Sequence, residues 1–307
     1  MKLLFSMETV SNKTLPYKSI TSLVNAYYEL TKPGITLMVL ASMLVGFIVG
    51  STGGFDYIIM FHAVVGTFLI SSGTAAHNQF IERHLDKLMN RTSKRPIPSE
   101  RIPAEHASIF AITLILAGFL YLLFLVNIVA SVVSAVTTAM YLGIYTPMKR
   151  RTFFNVVIGS IPGALPPIGG WAAATGTVYD PVAWLLFGIV FLWQIPHVLA
   201  IAWLCNDDYT NAGFRMLPDN DTSGLKTSTI SLFCLVCLLP VIACLYYYAN
   251  INLLFLFVSL AASLYYLFYG VQFLLERHKD RAKKLMFASF FYLPVIWLVL
   301  FLDKMFL

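Results

Sequence analysis

Charge is what this sequence has least of. Only 12% of its 307 residues are Asp, Glu, Lys or Arg, while 58% are hydrophobic. A soluble domain of this length carries roughly twice that charged fraction. A water-exposed globular fold is excluded, and a polytopic membrane protein is expected. Cysteine is scarce as well, with Cys205, Cys234, Cys237 and Cys244 the full set. Three of the four share one apolar run, where cysteine acts as a small apolar filler. The CxxC pair Cys234/Cys237 inside a helix is a weak ground for redox or metal chemistry. The first thirty residues lack a compact apolar core with a small-residue cleavage site, so no signal peptide is expected. They also lack the arginine enrichment of a mitochondrial presequence, which favours a bacterial cytoplasmic membrane over the mitochondrial inner membrane. No nucleic-acid partner is expected.

What the sequence does have is apolar runs of about twenty residues, each long enough to cross about 30 Å of hydrocarbon as a helix. They fall at residues 34–51, 57–77, 105–126, 128–146, 154–174, 181–204, 227–248, 251–274 and 285–302. The expected fold class is therefore all-α, nine transmembrane helices around a central cavity. Residues 1–26 form a tail, and 27–307 a single domain. Residues 105–146 are one run broken only by Asn127, and charge decides that they are two spans. With nine spans, the N-terminal tail and loops 78–104, 147–153, 205–226 and 275–284 share one side and hold 20 of the 21 Lys and Arg. The last is Lys304, in the C-terminal tail. The short opposite loops, "STGGFD", "TGTVYD" and "YANIN", hold none. The positive-inside bias puts the N-terminus and the long loops in the cytoplasm and the C-terminus outside. The net charge of +6 is then a property of one face. It suits anionic membrane lipids or an anionic substrate, although topology alone accounts for most of it.

Against that background the stretch "NQFIERHLDKLMNRTSKRPIPSE", residues 78–100, stands out. Asn78, Glu82 and Asp86 recur every fourth residue, so a helix puts them on one face over two turns. Three oxygen-bearing side chains on one stripe make a site for a hard cation, Mg²⁺ when phosphate is also present. The plainer reading is a solvated helix end with ordinary ion pairs. Arg91, Lys94 and Arg95 follow in a turn closed by Pro96 and Pro98, and guanidinium forks suit phosphate oxygens. A second acidic group, Asp207 and Asp208 in "WLCNDDYTNAGFRMLPDND", ends the sixth span on the same face. Two acidic clusters four spans apart suggest two related halves, without enough similarity to make a repeat. Facing each other, they would hold two Mg²⁺ ions with a diphosphate between them. Asp219 and Asp221 read as solvated loop residues. In "YTPMKRRTFFN", Lys149 and Arg150 are either a diphosphate clamp or a positive-inside anchor, with Lys149 the better candidate for the clamp.

Three segments taken together resemble a known family: "AAHNQFIERHLDKLMNRTSKRPIP", "YTPMKRRTFFNVVIGSIPGALPPIGGWAAATG" and "FLWQIPHVLAIAWLCNDDYTNAGFRML". They are similar to the protoheme IX farnesyltransferase (haem O synthase) family, a branch of the intramembrane aromatic prenyltransferase superfamily. "YYELTKPGITLMVL", residues 27–40, matches the family's usual opening, and the resemblance runs from about residue 25 to the C-terminus. The Asn-x3-acid-x3-Asp motif points only to the superfamily, whereas "IPGALPPIGGWAA" and "WQIPHVLAIAW" point to the haem-modifying branch. Some positions depart from the family pattern. Glu82 stands where Asp is frequent, His84 where an acid is, and Asn206 where a basic residue is. The superfamily's second motif is usually Asp-x3-Asp, but here Ala212 follows Asp208 four positions on, as the haem branch tends to have, so which of Asp207 and Asp208 binds metal stays open.

The resemblance implies a Mg²⁺-dependent enzyme that moves a farnesyl group from farnesyl diphosphate to a vinyl group of haem b. Water addition then completes haem O, which passes to a haem A synthase or to terminal oxidase assembly. The resemblance implies catalytic roles for Asn78, Glu82, Asp86 and His197. It also implies diphosphate contacts at Arg91, Arg95, Lys149 and Arg150. His197 follows Pro196 inside the sixth span, where it contacts haem or else bonds a carbonyl that the proline frees. His77 borders the stripe, and packing is its simpler role. Proline and glycine crowd the fifth span, which is expected to be irregular and to line the cavity. The tyrosines at 246–248, 265, 266 and 269 read as an aromatic belt or as cavity walls for a cation. Two rival readings remain: a prenyltransferase for a quinone precursor or chlorophyll, and a transporter. A transporter places its charges at mid-membrane near broken helices, whereas these acids gather at one rim.

Overall fold

The computed structural model describes residues 19–51 and 54–306. Residues 1–18 of the expected tail lie outside the described residues. Residues 20–26 already belong to the first helix, α1 (Ile20–Leu30), where Ala26 and Leu30 are buried. Ser19 caps α1 by accepting the Ser22 N–H at 3.1 Å. The chain then turns sharply at Lys32, whose φ of 47° is left-handed. The following Pro33 disfavours the ordinary helical conformation at Lys32, and a non-glycine residue pays strain in the left-handed region. Pro33 opens α2 (Pro33–Gly50).

Helix α3 (Tyr57–Asp86) starts at Asp56, whose carboxylate accepts the N–H groups of Ile58 and Ile59 at 3.0 Å. Its 30 residues rise about 45 Å, well beyond a hydrocarbon core of about 30 Å. The last turns therefore carry the Asn78–Glu82–Asp86 stripe out to the rim. Helix α4 (Ala104–Leu125) ends before Asn127, and α5 (Ile128–Ala139) begins after it. Asn127 makes the break: its Oδ1 accepts the Ala130 N–H at 2.9 Å, and its Nδ2 donates to the carbonyls of Ala172 and Ala173. The split inferred from charge is thus the one observed.

Helix α5 passes into a π-helical turn at Met140–Tyr145 and a last short turn, α6 (Thr146–Met148). The fifth span is two pieces, α7 (Asn155–Ala164) and α8 (Pro166–Thr175), parted at Leu165. Pro166 and Pro167 supply no N–H to bridge that joint. Then follow α9 (Pro181–Leu204), α10 (Asn206–Asn211), α11 (Leu225–Tyr248), α12 (Leu253–Leu275) and α13 (Lys279–Phe306). Among the described residues, nine spans are long and apolar enough to cross a membrane, and no residue is in a strand. The chain is a multi-pass membrane protein.

The spans form a ring. Helix α3 packs along α4, α2 along α8, α9 against α11 and α13, and α13 returns to α2. Trp297 Nε1 donates to Ser42 Oγ at 3.1 Å across that last contact. The largest apolar core lies among α9, α11, α12 and α13, around Leu186, Ile189, Leu238, Phe255 and Leu293. Phe124, Phe233 and Phe257 point outward and are exposed, as lipid-facing side chains of a membrane helix are. Glycine decides the α2–α8 contact. A Cβ at Gly46 would lie 1.9 Å from the Pro167 carbonyl oxygen, and one at Gly170 would lie 1.8 Å from that of Met43. The two backbones touch there, which small residues alone permit.

Candidate active site

Two cavities meet inside the ring. The smaller, about 80 Å³, is polar and lies at the basic rim. The other, about 160 Å³, is mostly apolar and runs inward between α2, α3, α5 and the α7–α8 joint. Lys32 and Tyr141 line both. Pro162, Leu165 and Pro166 line the apolar one, so the irregular fifth span is a cavity wall as expected.

The α3 stripe forms one wall of the polar cavity, with Asn78, Glu82 and Asp86 all buried. Each of the three holds one cation. Lys32 Nζ donates to Asn78 Oδ1 at 2.9 Å. Lys149 Nζ donates to Glu82 Oε1 at 2.7 Å. Arg95 Nη1 donates to both oxygens of Asp86, at 2.9 and 2.8 Å. Local structure delivers each partner. Thr92 Oγ1 donates to the Asp86 carbonyl at 2.9 Å and folds the turn back, so that Arg95 reaches the carboxylate nine residues before it. The π-turn brings Thr146 under Asn78. Thr146 Oγ1 donates to the Tyr141 carbonyl at 2.8 Å and accepts from Asn78 Nδ2 at 3.2 Å. The amide is thereby fixed with its oxygen toward Lys32.

Burial without full neutralisation shapes the charges here. Lys32 falls to a pKa of about 7, because burial disfavours its ammonium and Arg95 repels it, against the pull of Glu82 and Asp86. Burial works on Lys149 in the same way, but Tyr145 and Glu82 outweigh it and hold the ammonium above its usual range. Lys149 also lies 4.6 Å from the Tyr145 ring centre. Tyr209 Oη accepts from Arg91 Nη2 at 3.2 Å, and burial raises the phenol pKa. Tyr209, Phe214 and Met216 come from the loop after α9 and roof the polar cavity. The Arg215 N–H pins that loop to the Lys149 carbonyl at 2.7 Å, and Asn155 Nδ2 pins it to the Arg215 carbonyl at 2.7 Å.

Of the residues read from sequence, Asn78, Glu82, Asp86, Arg91, Arg95 and Lys149 line this cavity. Four others do not. Asp208 is on the same rim, but both of its oxygens clasp the next loop. Oδ1 accepts from the Asn90 N–H and Nδ2, and Oδ2 from the Arg91 N–H, all at 3.3 Å. Asp207 is exposed and pairs loosely with Lys279 at 3.6 Å. Arg150 is exposed. His197 bonds Ser289 Oγ through Nδ1 at 2.6 Å and stacks on Trp193, on the side of α9 that meets α13. His77 stacks on Phe80. Sequence reasoning passed over Lys32, Thr146 and the tyrosines at 141, 145 and 209. The only signal for Lys32 was its place before Pro33, at the mouth of the first span.

The donor set suits Mg²⁺. Two carboxylates and an amide oxygen are hard ligands, and Mg²⁺ is usually held by one or two carboxylates plus substrate phosphates. No cluster of three His, Cys, Asp or Glu occurs among the described residues, and Asn78 places an amide oxygen beside the two carboxylates. A family model, the UbiA prenyltransferase family, matches residues 39–293. The chain belongs to the UbiA prenyltransferase family. Its relatives include a protoheme IX farnesyltransferase of Solibacter usitatus, 40% identical over 91% of this chain and 98% of that one. Another, of Cytophaga hutchinsonii, is 35% identical over 94% of this chain and all of its own. Solved UbiA-type structures share the fold. A digeranylgeranylglyceryl phosphate synthase matches with a TM-score of 0.77 at 17% identity, covering 93% of this chain and 99% of its own. A UbiA homologue from Archaeoglobus fulgidus, bound to DMAPP and Mg²⁺, matches at 0.63 and 13% identity, covering 89% and 98%. The chain is thus a prenyltransferase by family, and the two cavities are its candidate active site.

Proposed function

We propose that this UbiA-family protein transfers a farnesyl group from farnesyl diphosphate to a vinyl group of haem b. Water addition would follow to give haem O. The observation that carries the diphosphate half is the joined pair of cavities: a charged pocket at the rim opens into an apolar one inside the ring. A molecule with an anionic head and a hydrocarbon tail matches both. The acceptor rests on the relatives, which are named protoheme IX farnesyltransferases over almost their whole length. In this reading residues 27–307 are one catalytic domain in the cytoplasmic membrane, with the polar cavity facing the cytoplasm. The apolar product leaves toward a membrane partner that modifies or inserts haem.

Asn78, Glu82 and Asp86 would hold Mg²⁺, which neutralises charge as it builds on the leaving diphosphate. Lys32, Arg95 and Lys149 exchange the oxygens they hold in this structure for those of the diphosphate. Arg91, beside Tyr209 at the roof, closes over the same group. The aromatic faces of Tyr141 and Tyr145 line the pocket where the allylic cation forms and stabilise it. Phe214 and Met216 keep bulk water off that cation until the vinyl group reacts. No step falls to His197, Asp207 or Arg150, which lie outside both cavities.

The test is turnover by purified protein given farnesyl diphosphate, haem b and Mg²⁺. A haem heavier by a farnesyl group and a hydroxyl, its vinyl converted to hydroxyethylfarnesyl, is expected by mass spectrometry, with none when Mg²⁺ is chelated. Transfer to 4-hydroxybenzoate in place of haem b would overturn the acceptor and leave the diphosphate site standing.

A further inference from the structure

Three helices measure the apolar cavity. Lys32, Tyr141 and Asn78 line the polar pocket at its head, and Met43, Val133 and Thr67 line the apolar cavity on the same helices. The separations are eleven residues on α2, eight on α5 and its π-turn, and eleven on α3. At about 1.5 Å per residue, the wall is about 12–16 Å long. The main chain of a farnesyl group, extended at ordinary C–C bond lengths, is about 14 Å. Past Met43, α2 and α8 close against each other backbone to backbone at Gly46 and Gly170.

At that closed end sits a glycine that helix packing does not require. Gly169 lines the cavity, and a Cβ there would meet only Val133 Cγ1 within 4 Å, at 3.7 Å, an ordinary contact. Its neighbour Gly170 has no such room, nor has Gly163, the other glycine lining the cavity, whose Cβ would lie 2.2 Å from Gln194 Oε1. A glycine inside a helix is destabilising relative to alanine. At 170 the α2 contact demands it. At 169 what it preserves is empty space.

We propose that Gly169, with Val133 opposite, sets the depth of the tail cavity and so matches the enzyme to a prenyl chain of three isoprene units. The inference rests on the prenyl diphosphate reading above and deepens it. A leucine at 169 would put a four-carbon side chain into the closed end of the cavity, where the third isoprene unit would lie. A phenylalanine at 133 would block the same end from the opposite wall.

The experiment measures binding, without acceptor, of farnesyl diphosphate, geranyl diphosphate and inorganic diphosphate. It compares the wild type with Gly169→Ala, Gly169→Leu and Val133→Phe. Gly169→Leu and Val133→Phe are each expected to weaken farnesyl diphosphate about tenfold or more, the scale on which apolar pockets discriminate. Geranyl diphosphate, one unit shorter, and inorganic diphosphate are expected to stay within about twofold, and Gly169→Ala to weaken farnesyl diphosphate by less than Gly169→Leu does. The ruler is overturned if farnesyl and geranyl diphosphate weaken together while inorganic diphosphate still binds, or if neither changes. Two variants on opposite walls guard against one failing to fold. Wild-type protein that held inorganic diphosphate but no prenyl diphosphate would sink the transferase reading itself.

Discussion

At the scale of single residues, the polar cavity is a set of one-to-one exchanges held in waiting. Glu82 and Lys149 are the most enclosed ion pair, with side chains 6% and 11% exposed. Removing one member of such a pair strands the other. Glu82→Gln should therefore destabilise the protein by about 3 kcal/mol, read as a fall of several degrees in Tm. Replacing both partners, as Glu82→Met with Lys149→Met, should restore most of that Tm, since an apolar pair of similar volume is often neutral. Neither variant should turn over. A double variant that stayed active would remove Glu82 and Lys149 from the mechanism. A single variant as stable as the wild type would mean that Lys149 escapes to solvent when its partner goes. The stripe itself was legible in the sequence, because i, i+4 spacing on a helix is a local property. Lys32 was not, because its meeting with Asn78 joins positions 46 apart through a turn that no local pattern encodes.

At the scale of elements, the informative pieces are the irregular ones. Hydropathy and the one-sided placement of Lys and Arg were enough to find every span and to split 105–146 at Asn127. They could not reveal the π-turn at Met140–Tyr145, which depends on Thr146 capturing the Tyr141 carbonyl. Such turns recur at functional sites because they re-aim side chains. Nor could they separate Asp207 from Asp208, neighbours on one short helix. In the structure Asp208 grips the Asn90–Arg91 backbone and so joins the loop after α9 to the loop after α3. If clasping is its role, Asp208→Asn should raise KM for farnesyl diphosphate about tenfold. One charge-assisted acceptor is lost while the metal set stays whole. Mn²⁺ binding, followed by electron paramagnetic resonance in the presence of inorganic diphosphate, should then be unchanged. Loss of the Mn²⁺ signal would instead make Asp208 a ligand.

At the scale of the whole molecule, a ring of membrane spans has to choose between holding a reaction and passing a solute. The acids at one rim favoured the first from sequence, and the packing gives the reason. At its tightest points the contact between α2 and α8 is made by main-chain atoms, at Gly46 against Pro167 and at Gly170 against Met43. Trp297 and Ser42 fasten the first and last spans of the ring. Side-chain gates open by changing rotamer. A seam of carbonyls and glycines opens only if whole helices part, which interior packing resists. Vesicles carrying this protein should therefore keep an imposed proton gradient as long as empty ones do, with or without farnesyl diphosphate, as a pH-sensitive dye trapped inside would report. Faster decay would mean that the seam parts. If it holds, cation chemistry at the rim proceeds without opening a leak through the protein, and both substrates must enter and leave on one side of that seam.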